Sequence, residues 1–154
     1  MNIRIGFGYD SHRTDPERKL VLGGVNIPNC PGLAGHSDAD VLLHSIIDAI
    51  LSASGQADIG QKFPNTDERY RDISSIELLK QSLPKNWEIV QIDSTIVCDQ
   101  PKIQLYKDSM IDKIKTVLGP LVQVTIKGKT SEGLGYVGRG EGIVSFAVVL
   151  IQKS

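Results

Sequence analysis

The chain has 154 residues, of which 40% are hydrophobic and 23% are charged, a composition typical of a globular protein. Its 17 basic and 18 acidic residues nearly cancel, which leaves a net charge of −1. This balance argues against a nucleic acid or an anionic membrane as partner, so any phosphate site must be built locally. The length predicts one domain over residues 1–154.

The two cysteines, Cys30 and Cys98, form no CxxC pair. They therefore predict neither a disulfide framework nor a zinc finger. No apolar run approaches the roughly 20 residues that span a bilayer. The first twelve residues lack the charged and then apolar layout of a signal peptide. We therefore expect a cytoplasmic protein without a membrane segment.

The chain begins with a pattern typical of a β-strand. Ile3, Ile5 and Phe7 alternate with polar or small residues, which predicts a half-buried first strand. This strand is expected to end in the polar run at residues 8–12. Residues 19–23 predict a second, short strand.

The first helix is predicted from about Asp38 to Ser54. Ser37 and Asp40 have the spacing of a capping box, and an apolar stripe with helical spacing follows. The next segment, residues 57–72, contains glycine, proline and charges with little apolar periodicity. It is predicted to be a loop.

The second half of the chain alternates between helical and strand patterns. They predict a helix, a strand, a helix and two strands at residues 75–83, 89–98, 102–118, 121–127 and 143–151. Five glycines lie between the last two strands, in residues 133–142. This order predicts an α/β fold, an α+β sandwich with a mixed four- to five-stranded sheet and helices packed on one face.

Asp10, His12 and His44 form the first candidate site. Asp10 and His12 are two residues apart on a strand and can project to one side, and His44 lies on the following helix. Two imidazoles and one carboxylate are a ligand set of catalytic zinc. The spacing alone also allows a loop histidine and a partly buried helical histidine without a metal. Asp40 or Asp48, one helical turn from His44, is predicted to orient its imidazole.

A second candidate is the run of residues 36–38 at the predicted helix start. Backbone amides and the helix dipole favour an anion such as phosphate there. His36 is placed to donate to such a phosphate. For Ser37, an ordinary capping role is the alternative.

A third candidate is the run from Lys129 to Gly142. Its glycines allow close backbone approach to a ligand, and its hydroxyls, carboxylate and arginine suit phosphates and a hard cation. It is neither a P-loop nor a dinucleotide fingerprint. A glycine-rich hairpin with a surface pair between Arg139 and Glu141 is the alternative.

Five motifs appear in one order: GYDSH, GLxxHSDxDxxxH, DIGxxFP, PK and TSEGLGYxGRGEG. Together they resemble the 2-C-methyl-D-erythritol 2,4-cyclodiphosphate synthase family of the non-mevalonate isoprenoid pathway. The resemblance extends from Arg4 to about Leu150. Asn65, Lys129, Asp99 and Ser131 depart from the family's usual residues.

The resemblance implies roles for individual residues. Asp10, His12 and His44 match the zinc ligands, and Glu132 matches the ligand of a second cation, Mg²⁺ or Mn²⁺. His36 and Thr130 match catalytic positions that hold and polarise phosphates. The implied substrate contacts are Ser37, Asp58, Ile59, Gly60, Phe63, Pro64, Asn65, Thr66, Asp67, Cys98, Asp99, Gln100, Pro101, Lys102, Lys129, Ser131, Tyr136 and Arg139.

The implied activity is that of a phosphorus–oxygen lyase. It cyclises 4-diphosphocytidyl-2-C-methyl-D-erythritol 2-phosphate with release of CMP. The resemblance also implies a homotrimer around a central channel, with active sites between subunits and an isoprenoid diphosphate as candidate channel ligand. A zinc phosphohydrolase acting on a nucleotide diphosphate, and a trimeric binding module without turnover, are the alternatives.

Overall fold

The computed structural model describes residues 2–154. In this part of the chain five strands form one mixed sheet in the order β2-β1-β5-β3-β4. Only β3 and β4 pair in parallel, and the other neighbours are antiparallel. The strands are β1 (Ile3–Leu22), β2 (Val25–Leu33), β3 (Trp87–Val97), β4 (Gln123–Lys129) and β5 (Gly142–Lys153).

Two of the five helices have only four residues. The helices are α1 (Val41–Ala53), α2 (Ile59–Lys62), α3 (Ser75–Gln81), α4 (Lys107–Leu118) and α5 (Gly135–Gly138). Two 3₁₀ turns cover Glu68–Tyr70 and Ile103–Leu105. None of the helices within residues 2–154 has both the length and the apolar character to cross a membrane.

Helix α1 is the central helix of the fold. Ten of its thirteen residues are buried, because it lies between the sheet and helix α3. A helix that is apolar on nearly every side is stable only when it is covered on nearly every side. It crosses β1 at Gly6 and Gly8, where an added Cβ would lie 1.9 Å from the carbonyl oxygens of Ala49 and Ser45. The two glycines therefore let α1 approach the strand closely.

The two faces of β1 have opposite character. Its even-numbered residues from Gly6 to His12 face α1 and are buried or half-buried. The odd-numbered side chains point away from the helices, and together with neighbours on β5 they leave an apolar surface exposed. Its members are Ile3, Ile5, Phe7, Tyr9, Phe146 and Val148, each at least 37% exposed. We call these six residues the apolar sheet face.

The predicted fold class is confirmed, but several boundaries were wrong. The first two predicted strands are one continuous strand, so Asp10 and His12 lie within β1 and not at its end. Ile3, Ile5 and Phe7 are exposed, since glycines and not apolar side chains face the helix. The predicted loop at 57–72 contains α2 and a 3₁₀ turn.

Helix α1 also begins later than predicted. Its N-cap is Asp40, whose carboxylate accepts the backbone N–H of Leu43 at 3.0 Å. The same carboxylate accepts the amides of Gly23 and Gly24, so a buried side chain already occupies this helix start. The prediction that Ser37 caps the helix was wrong. The helix N-terminus is also not open to a phosphate.

Candidate metal and substrate site

Three predicted ligands converge at the junction of β1 and α1. Oδ2 of Asp10 lies 2.8 Å from Nε2 of His12 and 3.2 Å from Nδ1 of His44. The two imidazole nitrogens are 3.1 Å apart. Asp10 and His12 share the inner face of β1, and the close crossing of α1 brings His44 to them. The prediction that these three side chains converge is confirmed.

The outer nitrogen of His12 is fixed by the backbone. Nδ1 of His12 lies 2.7 Å from the carbonyl oxygen of Ala34, which can only accept a hydrogen bond. Nδ1 therefore carries the hydrogen, and Nε2 presents a lone pair to Asp10 and His44. Gly35 packs against this ring, because an added Cβ would lie 3.2 Å from its Cε1 atom.

The outer nitrogen of His44 faces two hydroxyl groups. Nε2 lies 3.0 Å from Oγ of Ser75 and 3.1 Å from Oγ of Ser37. Ser75 in turn is bonded to Asp38. The prediction that Asp40 or Asp48 orients His44 was therefore wrong. Asp40 caps α1, and Asp48 accepts the amide of Ile59 at 3.0 Å.

The three inner atoms fit a divalent cation. Atoms that bind one zinc ion tetrahedrally are about 3.3 Å apart, close to the separations of 2.8–3.2 Å here. Oδ2 of Asp10 is buried, and it has no hydrogen-bond donor while His12 is neutral, because the nearest nitrogen of that ring then carries no hydrogen. Three facing lone pairs repel one another unless a cation lies between them. Within the described part of the chain, these three residues are the group that could hold a metal ion.

The pKa values of the metal-free site reflect the same arrangement. Burial raises the pKa of Asp10, but hydrogen bonds and charge from His12 and His44 outweigh it and lower this pKa to about 2. Burial lowers the pKa of His12, but the hydrogen bond and charge of Asp10 outweigh it and raise this pKa. A proton therefore supplies part of the positive charge that the site favours.

A cavity of about 190 Å³ opens beside the three ligands. Its lining includes six of the predicted substrate or catalytic residues, namely His36, Ser37, Ile59, Gly60, Phe63 and Asn65. Nε2 of His36 donates to the carbonyl oxygen of Asp67 at 3.0 Å, which ties His36 to the segment after α2. Phe63 is 6% exposed and packs edge-on against Tyr70.

The predicted loop residues are held by local contacts. Asp58 caps α2 by accepting from the backbone and side chain of Gln61. The carboxylate of Asp67 pairs with Arg69 at 2.6 Å. Pro64 is half-buried and Thr66 is exposed. None of these four residues lines the cavity, although their neighbours Ile59, Gly60, Phe63 and Asn65 do.

A second cavity of about 560 Å³ lies between the end of β3, the turn before α4, and β4. Five of the predicted site residues line it, together with neighbours that were not predicted. The predicted members are Cys98, Pro101, Lys102, Lys129 and Thr130. Lys107 and Lys127 line it as well, so four lysines surround this cavity, and Lys127 is paired with Asp93. Gln100 lines a different, smaller cavity, together with Arg139.

The turn after β4 is built around Asp99. Its carboxylate accepts the amides of Ser131 and Gly133 at 2.9 and 3.1 Å, and the hydroxyl of Ser131 at 3.2 Å. Glu132 at the tip is exposed and has a φ of 55°, a left-handed conformation that is uncommon for residues other than glycine. Asp99 therefore shapes the turn that presents Thr130 and Glu132.

The last two predicted contacts lie near α5. Arg139 forms an exposed ion pair with Glu141, with a separation of 2.9 Å, as the hairpin alternative expected. Tyr136 is 45% exposed and packs beside Gly142. Neither residue lines the cavity at the metal ligands.

The two cavities of one chain are well separated. Ser11 is in register with Val144, Val144 with Val97, and Val97 with Lys129. Three strand spacings of about 4.8 Å place Ser11 and Lys129 about 14 Å apart. Thr130 and Glu132 therefore do not lie at the metal ligands of their own chain.

Two residues near the site were not predicted to contribute to it: Arg18 and Ser75. Arg18 lies in an irregular part of β1 and donates to the carbonyl oxygens of Gly35 and Ser37, the second at 2.5 Å. No local sequence pattern indicates that contact. Asp38 was part of a predicted anion site, but its carboxylate points to Ser75.

The YgbB family model matches residues 3–152. A 2-C-methyl-D-erythritol 2,4-cyclodiphosphate synthase of Caldicellulosiruptor bescii is 56% identical over 97% of this chain and 98% of its own length.

Solved structures agree with this match. The bifunctional IspDF of Campylobacter jejuni superposes with a TM-score of 0.92 at 36% identity, over 99% of this chain and 42% of that one. An IspF CDP complex of Plasmodium falciparum gives a TM-score of 0.79 at 38% identity, over 100% and 99% of the two chains. The chain therefore belongs to the YgbB family, the family of 2-C-methyl-D-erythritol 2,4-cyclodiphosphate synthases.

Proposed function

We propose that this chain converts 4-diphosphocytidyl-2-C-methyl-D-erythritol 2-phosphate into 2-C-methyl-D-erythritol 2,4-cyclodiphosphate and CMP. The convergence of Asp10, His12 and His44 beside a polar cavity, in a member of this family, carries the proposal. The 2-phosphate oxygen attacks the β-phosphorus, a new P–O bond forms, and the bond to the CMP oxygen breaks. No covalent bond to the enzyme is required.

The main obstacle is charge. The attacking phosphate and the diphosphate are both anions, and they must approach within bonding distance. Zinc or another divalent transition metal on Asp10, His12 and His44 would neutralise and polarise the β-phosphate. Holding both ends of one molecule in the site supplies the proximity effect.

Neutral donors of the chain complete the phosphate site. Ser37 lies at the cavity wall with its hydroxyl 3.1 Å from His44. His36 is the neighbouring donor and reaches phosphate if it exchanges its bond to the carbonyl of Asp67. Residues 58–67 border the same cavity and would enclose the ribose and methylerythritol parts of the substrate.

The second cavity supplies the nucleotide side of the site. Its walls and its lysines suit a cytosine ring and its phosphate, and a relative of known structure is described as a CDP complex. Thr130 would hold the diphosphate at the rim of this cavity. Mg²⁺ or Mn²⁺ at Glu132 would balance charge on the α-phosphate as CMP leaves.

We further propose that each active site joins two subunits of a homotrimer. The metal ligands and Thr130 are about 14 Å apart across the sheet of one chain, so one diphosphate does not contact both. A neighbouring subunit brings the two halves together. The apolar sheet face supports this assembly, because monomeric proteins rarely expose six such side chains side by side.

In this assembly the apolar sheet faces line a central channel, and Arg139 lies near one end of it. An isoprenoid diphosphate suits such a channel by its apolar tail and charged head. A single domain and a cytoplasmic location stay predictions of the sequence.

The reaction is tested by ³¹P NMR on the cytidyl substrate. We expect two new coupled phosphorus signals of the cyclic diphosphate together with CMP, and no turnover after metal removal by EDTA. Hydrolysis to an uncyclised product would support the zinc phosphohydrolase instead. Turnover unaffected by EDTA would refute the metal mechanism.

The shared site is tested by mixing two inactive variants, His12→Ala and Thr130→Ala. After joint unfolding and refolding, random trimers place intact halves together in about a quarter of the sites. We therefore expect about that fraction of wild-type activity. Sites contained within single chains would give no recovery.

A further inference from the structure

The imidazole of His44 is linked to the carboxylate of Asp38, which has no assigned role so far. Nε2 of His44 lies 3.0 Å from the hydroxyl of Ser75, a fully buried residue at the start of α3. Asp38 holds Ser75 twice. It accepts the backbone N–H at 2.9 Å through Oδ2 and the hydroxyl through Oδ1.

The directions of these hydrogen bonds follow from the donors available. An ionised carboxylate only accepts, so the hydroxyl hydrogen of Ser75 points to Asp38. The oxygen of Ser75 then faces His44 as an acceptor, and Nε2 must carry the hydrogen. Nδ1 of His44 is left with a bare lone pair, directed at Asp10 and at Nε2 of His12.

We propose that Asp38 is a positioning residue, which acts through Ser75 to keep the hydrogen of neutral His44 on Nε2 and Nδ1 free to bind a metal ion. The carbonyl of Ala34 fixes the hydrogen of His12 on its outer nitrogen in the same way. The arrangement also affects Ser37. Its hydroxyl hydrogen cannot point to Nε2 of His44 when that nitrogen carries a hydrogen, so it remains available to a phosphate. This last consequence rests on the proposed function.

The isosteric variant Asp38→Asn tests the proposal. Oδ1 of Asp38 also accepts the backbone N–H of Asp40 at 3.1 Å. The NH₂ group of an asparagine at this position would therefore face a backbone N–H in either orientation, that of Asp40 or that of Ser75. With Nδ2 at the Oδ1 position, the oxygen of Ser75 accepts from residue 38 and its hydrogen is free to donate to His44. With Nδ2 at the Oδ2 position, the hydroxyl stays bonded to residue 38 and the backbone N–H of Ser75 loses its acceptor, so the variant is a mixture of the two.

Two measurements on the full chain, without substrate, give the readout. ¹⁵N NMR of histidine-labelled metal-free protein near pH 8.5 reports which ring nitrogen carries hydrogen. We expect only Nε2–H for His44 in the wild type, and a clear Nδ1–H fraction in Asp38→Asn. Competition with a chromogenic chelator should show zinc affinity falling at least about tenfold.

Asp48→Asn is the matched control, since it removes the same charge one helical turn from His44 without touching the ring. Its zinc affinity should stay within about twofold of the wild type. Ser75→Ala is a second variant that keeps the helix start. Nε2–H then turns to Ser37, so the tautomer stays and zinc affinity falls less than in Asp38→Asn.

An unchanged tautomer in Asp38→Asn would overturn the proposal, even with weaker zinc binding, because it would reduce Asp38 to a structural role. Equal losses of zinc affinity in Asp38→Asn and Asp48→Asn would overturn it too. Since no substrate is present, failure of the proposed cyclisation leaves both measurements interpretable.

Discussion

A Cβ atom on Gly8 would lie 1.9 Å from the carbonyl oxygen of Ser45. Gly8 is two residues before Asp10 on β1, and Ser45 directly follows His44 on α1. The contact therefore sets the distance between strand and helix at the point where both present metal ligands. The absence of a side chain at one position determines the geometry of the site.

Gly8→Ala should displace α1 and separate His44 from Asp10. We expect a loss of at least about 2 kcal/mol in the free energy of unfolding, since overpacked cores cost this much. Zinc affinity should fall by more than tenfold. Ser11→Ala, on the exposed side of the same strand, is the control and should change neither quantity. Urea unfolding and chelator competition measure both.

Metal binding by His12 and phosphate binding by His36 are separable by metal analysis. His12→Ala removes a ligand and should lose most of the bound zinc while the fold is kept. His36→Ala removes a cavity donor that has no contact with the three ligands, so zinc content should be normal although turnover is lost. Full zinc occupancy in His12→Ala would remove His12 from the ligand set.

Arg18 should position the segment that carries His36. Its guanidinium group donates to the carbonyl oxygens of Gly35 and Ser37, which flank that histidine. Arg18→Ala should raise KM and lower kcat at least tenfold together, because both donors of the segment shift. Arg18→Lys should recover little, since one ammonium group does not reproduce the planar fork.

Added guanidinium ion gives the decisive comparison for Arg18. Millimolar guanidinium should partly restore turnover in Arg18→Ala and leave Arg18→Lys unchanged. Zinc content should be normal in both variants. If guanidinium restores nothing and both variants unfold more easily to the same extent, Arg18 only stabilises the fold.

Much of this site was predictable from the sequence, and the rest was not for physical reasons. The ligand set depends on residue types and spacing, which a sequence displays directly. The links from Arg18 to Gly35 and from Asp38 to Ser75 span 17 and 37 residues and follow no helical or strand period. They appear only when the chain is folded.

The error at β1 has a related cause. Alternating Ile3, Ile5 and Phe7 predict burial, and burial was assigned to the wrong face. A close helix crossing requires glycine on the inner face, so the apolar residues lie on the outer one. In the proposed trimer that outer face would be covered as well, and the alternation would mark a subunit contact.

Asp40 gives a prediction about pH. Burial raises the pKa of this fully buried carboxyl group to about 6, and repulsion from Asp38 adds to the effect although three backbone amides oppose it. A folded-state pKa above the unfolded value of 3.8 means that the folded protein binds the proton more tightly. The resulting stability is complete below pH 4 and is lost as the pH rises through 6.

A difference of roughly two units between the folded and unfolded pKa corresponds to a loss of about 3 kcal/mol in the free energy of unfolding. Asp40→Asn keeps the acceptor for Gly23 and Leu43 but cannot ionise. The stability of the wild type relative to Asp40→Asn should therefore fall by about 3 kcal/mol between pH 4 and pH 7. Urea unfolding of metal-free protein at several pH values measures it. Parallel pH profiles of the two proteins would show that Asp40 does not change its charge in this range.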